Sequence, residues 1–314
     1  LYIPEGVKKK SKDVDFLVMP NNTSVVTDSD QLQEQKTIKK FQRTLSKLYQ
    51  GKGLNYVLLQ PIFPRYKKAK GEAKNIEFKK DKKKYCKYKI DKPRVFIPAF
   101  PGTNCEDDTL KAFEKAGATG EIVVFNNTDK KHIKASIDKM ASVIKDSHII
   151  AIPGGFSAGD EPDGSGKFIA SVFRNEKIKK AVKYLLNEKD GLIIGICNGF
   201  QALIKLGLLP YGEIKALDKD SPTLTFNKIS RHVSNISNVK LSSNKSPWLQ
   251  FSEFGKSYKT PMSHGEGRFY AKDKVVKSLI KNGQIATQYV DESLNATMDS
   301  KYNPNGSLMA VEGI

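Results

Sequence analysis

The stretch Gly195-Ile196-Cys197-Asn198-Gly199 constrains the fold of this chain more than any other. It follows Gly191-Leu192-Ile193-Ile194, a short apolar run that predicts a buried strand. It precedes Gln201-Ala202-Leu203-Ile204-Lys205-Leu206-Gly207, which predicts a helix stopped by a glycine. A strand that turns sharply into a helix, with a nucleophile at the bend and glycine on each side, is a nucleophile elbow, here with Cys in place of Ser. The bend strains the nucleophile's backbone, and the glycines let neighbouring chain pass close to it. The helix that follows aims free N–H groups and its positive end at the sulfur, which lowers a thiol pKa from about 8.5. Taken alone, the stretch reads equally well as a buried structural cysteine at a strand end.

The surrounding pattern decides the fold class. From Arg94 onward, strand and helix signals alternate. Strands are expected at 95–100, 121–125, 148–152 and 191–195, with helices at 107–116, 130–144 and 167–187. Pro98 within the first strand marks a strand end or an irregularity. The order predicts an α/β fold with a mostly parallel sheet and helices on both faces. Ligands on such sheets sit at the carboxyl ends of the strands. That edge would hold the Pro101 turn, the glycine-rich Pro153–Gly166 loop and Cys197. After Pro210 the helical signals thin out, and strands are expected at 223–226, 238–241, 285–290 and 308–311.

Before Arg94 the chain reads differently. A helix is expected over 30–49, from the spacing of Ile38, Phe41, Leu45 and Leu48, and a short strand near Phe16–Met19. Residues 66–92 are Lys-rich and read as an exposed, flexible connector, which places a domain boundary near Lys92-Pro93. The first 93 residues hold 23 of the 53 Lys and Arg but only 10 of the 34 Asp and Glu, about +13 of the net +19. This excess is nearly all Lys, with few interleaved aromatics, whereas nucleic-acid readers lean on Arg and stacking rings. A solvated linker is the reading adopted, with no nucleic-acid and no membrane partner. No apolar run approaches the roughly 20 residues of a membrane span. Cys86, Cys105 and Cys197 are too few and too far apart for a disulfide framework or a zinc site, which points to a reducing, cytoplasmic setting.

A thiol nucleophile needs a base, and the base needs an orienting group. The chain has four histidines. His132 falls in a Lys-rich helix and His148 begins a buried strand, so both read as structural. His264 sits in Ser263-His264-Gly265-Glu266-Gly267-Arg268. If that segment is extended, His264 and Glu266 share a face, and the carboxylate can hold the imidazole. For the oxyanion, one donor is expected from the Pro153-Gly154-Gly155-Phe156-Ser157 loop, at Gly155 N–H. The other is Asn198 N–H. No metal-ligand set is expected. Arg231 and His232 could line the site or lie plainly on the surface. Cys105 follows a turn without an elbow and reads as a packing residue.

These motifs resemble the class I glutamine amidotransferases. More narrowly, Pro101-Gly102-Thr103-Asn104-Cys105-Glu106, Gly154-Gly155-Phe156-Ser157-Ala158-Gly159-Asp160 and His264-Gly265-Glu266-Gly267-Arg268-Phe269 are similar to the glutaminase region of the phosphoribosylformylglycinamidine synthase family. Asp160–Phe168 looks like the version carried at the end of a long fused synthase chain. The resemblance covers about 94–314. It implies a glutaminase domain over 93–314, preceded by a synthetase-tail remnant and linker over 1–92. It implies that the family pattern runs past Ile314, leaving a final core strand beyond it.

The resemblance further implies that Cys197, His264 and Glu266 release ammonia from glutamine, with Gln201 helping to hold the substrate. A polar residue in a helix's first turn is the plainer reading of Gln201. The implied partner is the synthetase part, which would use ATP and Mg to turn formylglycinamide ribonucleotide into the amidine in purine biosynthesis. No cofactor is implied for the glutaminase region itself. Two other classes remain at this point: a cysteine hydrolase on a similar sheet, and a non-catalytic basic binding protein. A late H-x-E strand favours the glutaminase. Salt-sensitive binding that survives loss of 94–314 would favour the last.

Overall fold

The structure is a computed structural model that describes residues 73–80, 90–157 and 166–314. All of them lie in one compact unit, Arg65–Ile314. The helix expected over 30–49 and the strand near Phe16 fall outside the described residues.

Four parallel strands form the first sheet: β1 (Arg94–Ala99), β2 (Thr119–Val124), β3 (Ile149–Ile152) and β4 (Leu192–Gly195). Their order is β2-β1-β3-β4. The helices between them are α1 (Glu106–Lys115), α2 (Lys130–Asp146), α3 (Lys167–Phe173) and α4 (Glu176–Asn187), and α5 (Asn198–Leu206) follows β4. Alternation along β1 sends side chains to opposite faces. Phe96 joins Ile150 and Ile152 against Met140, Ile144, Phe173, Ile178, Leu185 and Leu203 of the helices on one face. Val95 and Ile97 join Ala151 against Leu110 and Phe113 of α1 on the other. Helices therefore cover both faces, as expected of a parallel sheet. The ladder from β1 to β3 pairs only Val95 and Phe96, ending before Pro98.

The single helix expected over 167–187 is two. The Asn175 side chain accepts from Lys177 N–H at 3.0 Å and starts α4 afresh. Asp129 caps α2 in the same way, accepting from His132 N–H at 2.9 Å.

The second half of the unit is antiparallel. Strands β6 (Val233–Leu241), β7 (Ser257–His264), β9 (Thr287–Tyr289) and β10 (Val311–Gly313) form a sheet of order β10-β9-β6-β7. A two-stranded ladder joins β5 (Thr223–Thr225) to β8 (Arg268–Tyr270), and α6 (Asp273–Lys281) follows. The strand expected at 308–311 is instead a 3₁₀ turn over Leu308–Ala310 leading into β10.

Residues 73–80 differ from the exposed connector expected of them. Ile76 is buried in an apolar cluster with Phe269 and Leu279. Its N–H donates to Gln288 Oε1 at 2.8 Å, and Phe78 N–H donates to Ser242 O at 2.8 Å. Ile76 and Phe78, set among lysines, supply the apolar anchors that composition averages away. No helix among the described residues is long and apolar enough to cross a membrane.

Candidate active site

Strand order reverses between β1 and β3, and the loops leaving these two strands meet at their carboxyl edge. Thr103 in the Pro101 turn forms an antiparallel bridge with Gly155 in the Pro153 loop. Phe156 N–H donates to Gly102 O at 2.8 Å, and Asn104 N–H reaches Gly154 O at 3.4 Å. Those bonds flank the pair as in the non-hydrogen-bonded position of an antiparallel ladder, so Gly155 N–H turns away from the Pro101 turn. Gly155 sits at φ 141, and a Cβ there would lie 2.6 Å from Gly102 O. No side chain is tolerated at this position.

Cys197 lies beside this pair of loops, between β4 and α5, at φ 55 and ψ −108. A non-glycine residue held at positive φ costs about 1–3 kcal/mol, and such residues cluster at reactive sites. The flanking glycines explain how the bend is held. A Cβ on Gly199 would fall 2.1 Å from Ile152 O, and one on Gly195 would fall 2.6 Å from the Gly199 carbonyl. The first turn of α5 thus rests directly on the end of β3. Gly154 faces the sulfur region from the other side, its Cβ position 3.4 Å from Cys197 Cβ and 3.6 Å from Cys105 Sγ.

Cys105 is the neighbouring thiol, but its setting is unreactive. It stands at the start of α1, and its Sγ donates to Asn104 Oδ1 at 3.1 Å. Burial, then the charges of Asp108 and Glu106, push its pKa up. The acidic stretch Asp160–Gly164 lies outside the described residues.

The loop, the elbow and the His264 segment are joined by one chain of hydrogen bonds. Ser157 N–H donates to Asn198 Oδ1 at 3.3 Å. Asn198 Nδ2 donates to Gln201 Oε1 at 3.0 Å, and Gln201 Nε2 donates to Glu266 O at 2.8 Å. Asn198 and Gln201 are both buried. Both ends of the Gln201 amide are therefore engaged within the protein, and its side chain latches α5 to the His264-Gly265-Glu266 segment. A substrate contact through this amide would require one of these bonds to open.

His264 ends β7, in register with Val233 of β6. The segment is not extended beyond it, because the chain bends at Gly265 and Glu266 before β8 begins. The shared strand face expected of His264 and Glu266 is thus replaced by a turn, with Glu266 buried inside it. His264 Nδ1 is buried without a hydrogen-bond partner. Burial, then repulsion from a charged His232, pulls the His264 pKa below its ordinary value. The ring is thus a neutral base at neutral pH. His232 is exposed, with Nε2 2.9 Å from Ser263 Oγ and its ring 6.3 Å from that of Phe156. It therefore stands between the Pro153 loop and the end of β7, while Arg231 contributes its carbonyl to Asn227. His148 Nδ1 accepts from Arg94 N–H at 2.9 Å, and His132 lies against Asp129 at the start of α2; both serve element ends.

The residue that sequence reasoning missed is Asn227, just past β5. It is 2% exposed, and its side chain bonds only to main chain, at His264, Gly267 and Arg231. Its one sequence signal is an Asn directly after a strand, which many loops share. Among the described residues, no group of three or more His, Cys, Asp or Glu stands where it could hold a metal ion.

Residues 92–314 match the family model of the CobB/CobQ-like glutamine amidotransferase domain. The phosphoribosylformylglycinamidine synthase subunit PurQ of Treponema denticola is 35% identical over 236 residues, spanning 71% of this chain and 82% of that protein. The subunit of the same name from Methanococcus maripaludis is 38% identical over 229 residues, spanning 71% and 77%. A solved structure, that of PurLQS from Thermotoga maritima, is 26% identical with a TM-score of 0.49, covering 70% of this chain and 80% of that one.

Proposed function

The chain belongs to the CobB/CobQ-like glutamine amidotransferases, as a member of the phosphoribosylformylglycinamidine synthase glutaminase family, and from that premise we infer how its own residues release ammonia from glutamine. The family sets aside the cysteine-hydrolase and basic-binder readings. The observation that carries the mechanism is the strained Cys197, tied through Asn198 and Gln201 to the main chain of Glu266.

Neutral His264 takes the proton of the Cys197 thiol, and the resulting thiolate, favoured by the α5 N-terminus, attacks the side-chain amide carbon of glutamine. The carbonyl π electrons move onto oxygen, and Gly155 N–H and Asn198 N–H hold that oxyanion. Protonated His264 gives its proton to the amide nitrogen, the C–N bond breaks, and ammonia leaves a thioester on Cys197. Neutral His264 then takes a proton from water, the hydroxide adds to the thioester, and glutamate departs as the thiolate reforms. Glu266 is taken to meet the charge that His264 gains in each cycle, through the Nδ1 that has no partner in the resting site. The depressed His264 pKa supports this role, since a ring that is neutral at rest accepts the proton of water.

The relatives are named as subunits, and the ammonia is taken to pass to a synthetase part, in the same chain or in a complex. ATP and Mg act there, on formylglycinamide ribonucleotide, and the setting is cytoplasmic. The glutaminase domain comprises 93–314, with residues 73–80 packed against its second sheet. In the complete synthase, Cys197→Ala is expected to lower glutamine-driven synthesis by about 10³-fold or more. Synthesis from free ammonia is expected to stay within about twofold. Equal loss of both activities would overturn the division of labour.

A further inference from the structure

We propose that Asn227 is a positioning residue for the catalytic base, setting the His264 ring by gripping the main chain on both sides of Glu266. This rests on the reading of His264 as the base. Asn227 follows β5, whose ladder with β8 pairs Thr225 with Arg268 and so carries Asn227 alongside the His264–Gly267 turn. Its main-chain N–H donates to Gly265 O at 2.8 Å. Its Nδ2 donates to His264 O at 2.7 Å and to Arg231 O at 3.1 Å. Its Oδ1 accepts from Gly267 N–H at 3.1 Å. One buried residue thereby binds three groups of the turn, at positions 264, 265 and 267, and also the residue before His232.

The grip reaches the imidazole through Gly267. A Cβ on Gly267 would fall 2.1 Å from His264 Cε1 and 2.3 Å from Nδ1, so the ring lies directly on the Gly267 backbone. Where Asn227 Oδ1 holds Gly267, it sets the floor on which the ring rests. Asn305 Nδ2 also donates to Gly267 O at 3.2 Å, so the floor is held at its N–H and at its carbonyl. The hydrogen bonds of the Asn227 side chain all go to main chain, none to the ring. Its influence on chemistry is geometric, and a misplacement of about 1 Å at a catalytic group costs up to about 10²-fold in rate.

The test uses the complete synthase with Asn227→Asp and Asn227→Ala, and Cys197→Ala alongside. Asn227→Asp keeps an acceptor for Gly267 N–H but sets a carboxylate oxygen against the carbonyls of His264 and Arg231. Asn227→Ala removes the grip altogether. In each variant the expected result is a fall of roughly 10–100-fold in kcat for glutamine hydrolysis, KM for glutamine within about threefold, and ammonia-driven synthesis within about twofold. The acid limb of the glutamine-driven pH profile is expected to move, because the ring changes its surroundings. An unchanged kcat in either variant overturns the proposal. So does parallel loss of the ammonia-driven rate in Asn227→Asp, which would make Asn227 a residue of the fold alone. If Cys197→Ala keeps its glutamine-driven rate, the site reading itself fails, whatever the Asn227 variants do.

Discussion

The two halves of the unit hold their reactive groups by different physics. In the parallel half, Cys197 is held by backbone against backbone: Gly195, Gly199 and the end of β3 meet with no room for a methyl group. Apolar layers on both faces of the sheet, from Phe96 to Leu203, keep those backbones in place. In the antiparallel half, His264 stands at the end of β7, an edge strand in which only Met262 is buried. There the turn is held by buried amides and a hydroxyl: Asn227, Asn305 and Ser307 each bond to the main chain at Gly267. The proposed nucleophile stands in a single strained conformer, which close packing supplies. The proposed base stands in a bent loop, whose peptide groups must find partners one by one.

The sharpest break of this contrast is a methyl group in each half. Gly199→Ala places a Cβ on Ile152 O, and neither atom can yield without moving β3 or α5. A loss of about 3 kcal/mol or more is expected in chemical denaturation, with glutamine-driven activity falling far below the ammonia-driven rate. Gly265→Ala, in the bent loop, meets nothing within 4 Å and is expected to cost under about 1 kcal/mol. Equal costs at the two positions would show that the elbow is not held by backbone contact.

A smaller effect is expected from the amide that serves the second sheet as Asn227 serves the turn. Gln288 is 0% exposed. It accepts from Ile76 N–H at 2.8 Å and Ser242 Oγ at 3.0 Å, and donates to Lys74 O at 3.0 Å and Met309 O at 2.8 Å. Gln288→Leu strands these groups and is expected to cost about 2–3 kcal/mol. The Ile76 amide should exchange its hydrogen markedly faster in the variant. Unchanged protection there would mean that residues 73–80 are held by the burial of Ile76 alone.

The same contrast governs what could be read in advance. The strands and helical stretches expected in the parallel half are all present, because apolar runs and glycine stops are local signals. The break between α3 and α4 was not legible, since it depends on one asparagine cap at Asn175. In the second half, β7 was unreadable as Ser257-Tyr258-Lys259-Thr260-Pro261-Met262-Ser263-His264, because an edge strand facing water carries little apolar pattern. The short helix α6 hid its Val276 and Leu279 among lysines. The residues proposed for the chemistry were all visible in the sequence. Asn227 was not, because its value lies in a contact across a ladder that nothing local announces.

The smallest expected effect probes the electrostatics of the base. Burial first, and His232 second, lower the His264 pKa from 6.5, so the base form persists to lower pH than a free imidazole would allow. On the proposed mechanism, glutamine-driven kcat/KM rises as His264 loses its proton, which puts the acid limb below pH 6.5. His232→Gln removes the charge that repels a second proton. Protonating His264 then becomes easier, its pKa rises, and the acid limb moves to higher pH, with no change on the alkaline side of that limb. The shift is expected to be modest, because burial is the larger cause and remains. High salt should shrink the difference between the two proteins, since His232 is exposed and its charge is screened. An acid limb that moves to lower pH in His232→Gln would mean that another group sets the limb, and that the bent loop tunes its base without help from the neighbouring ring.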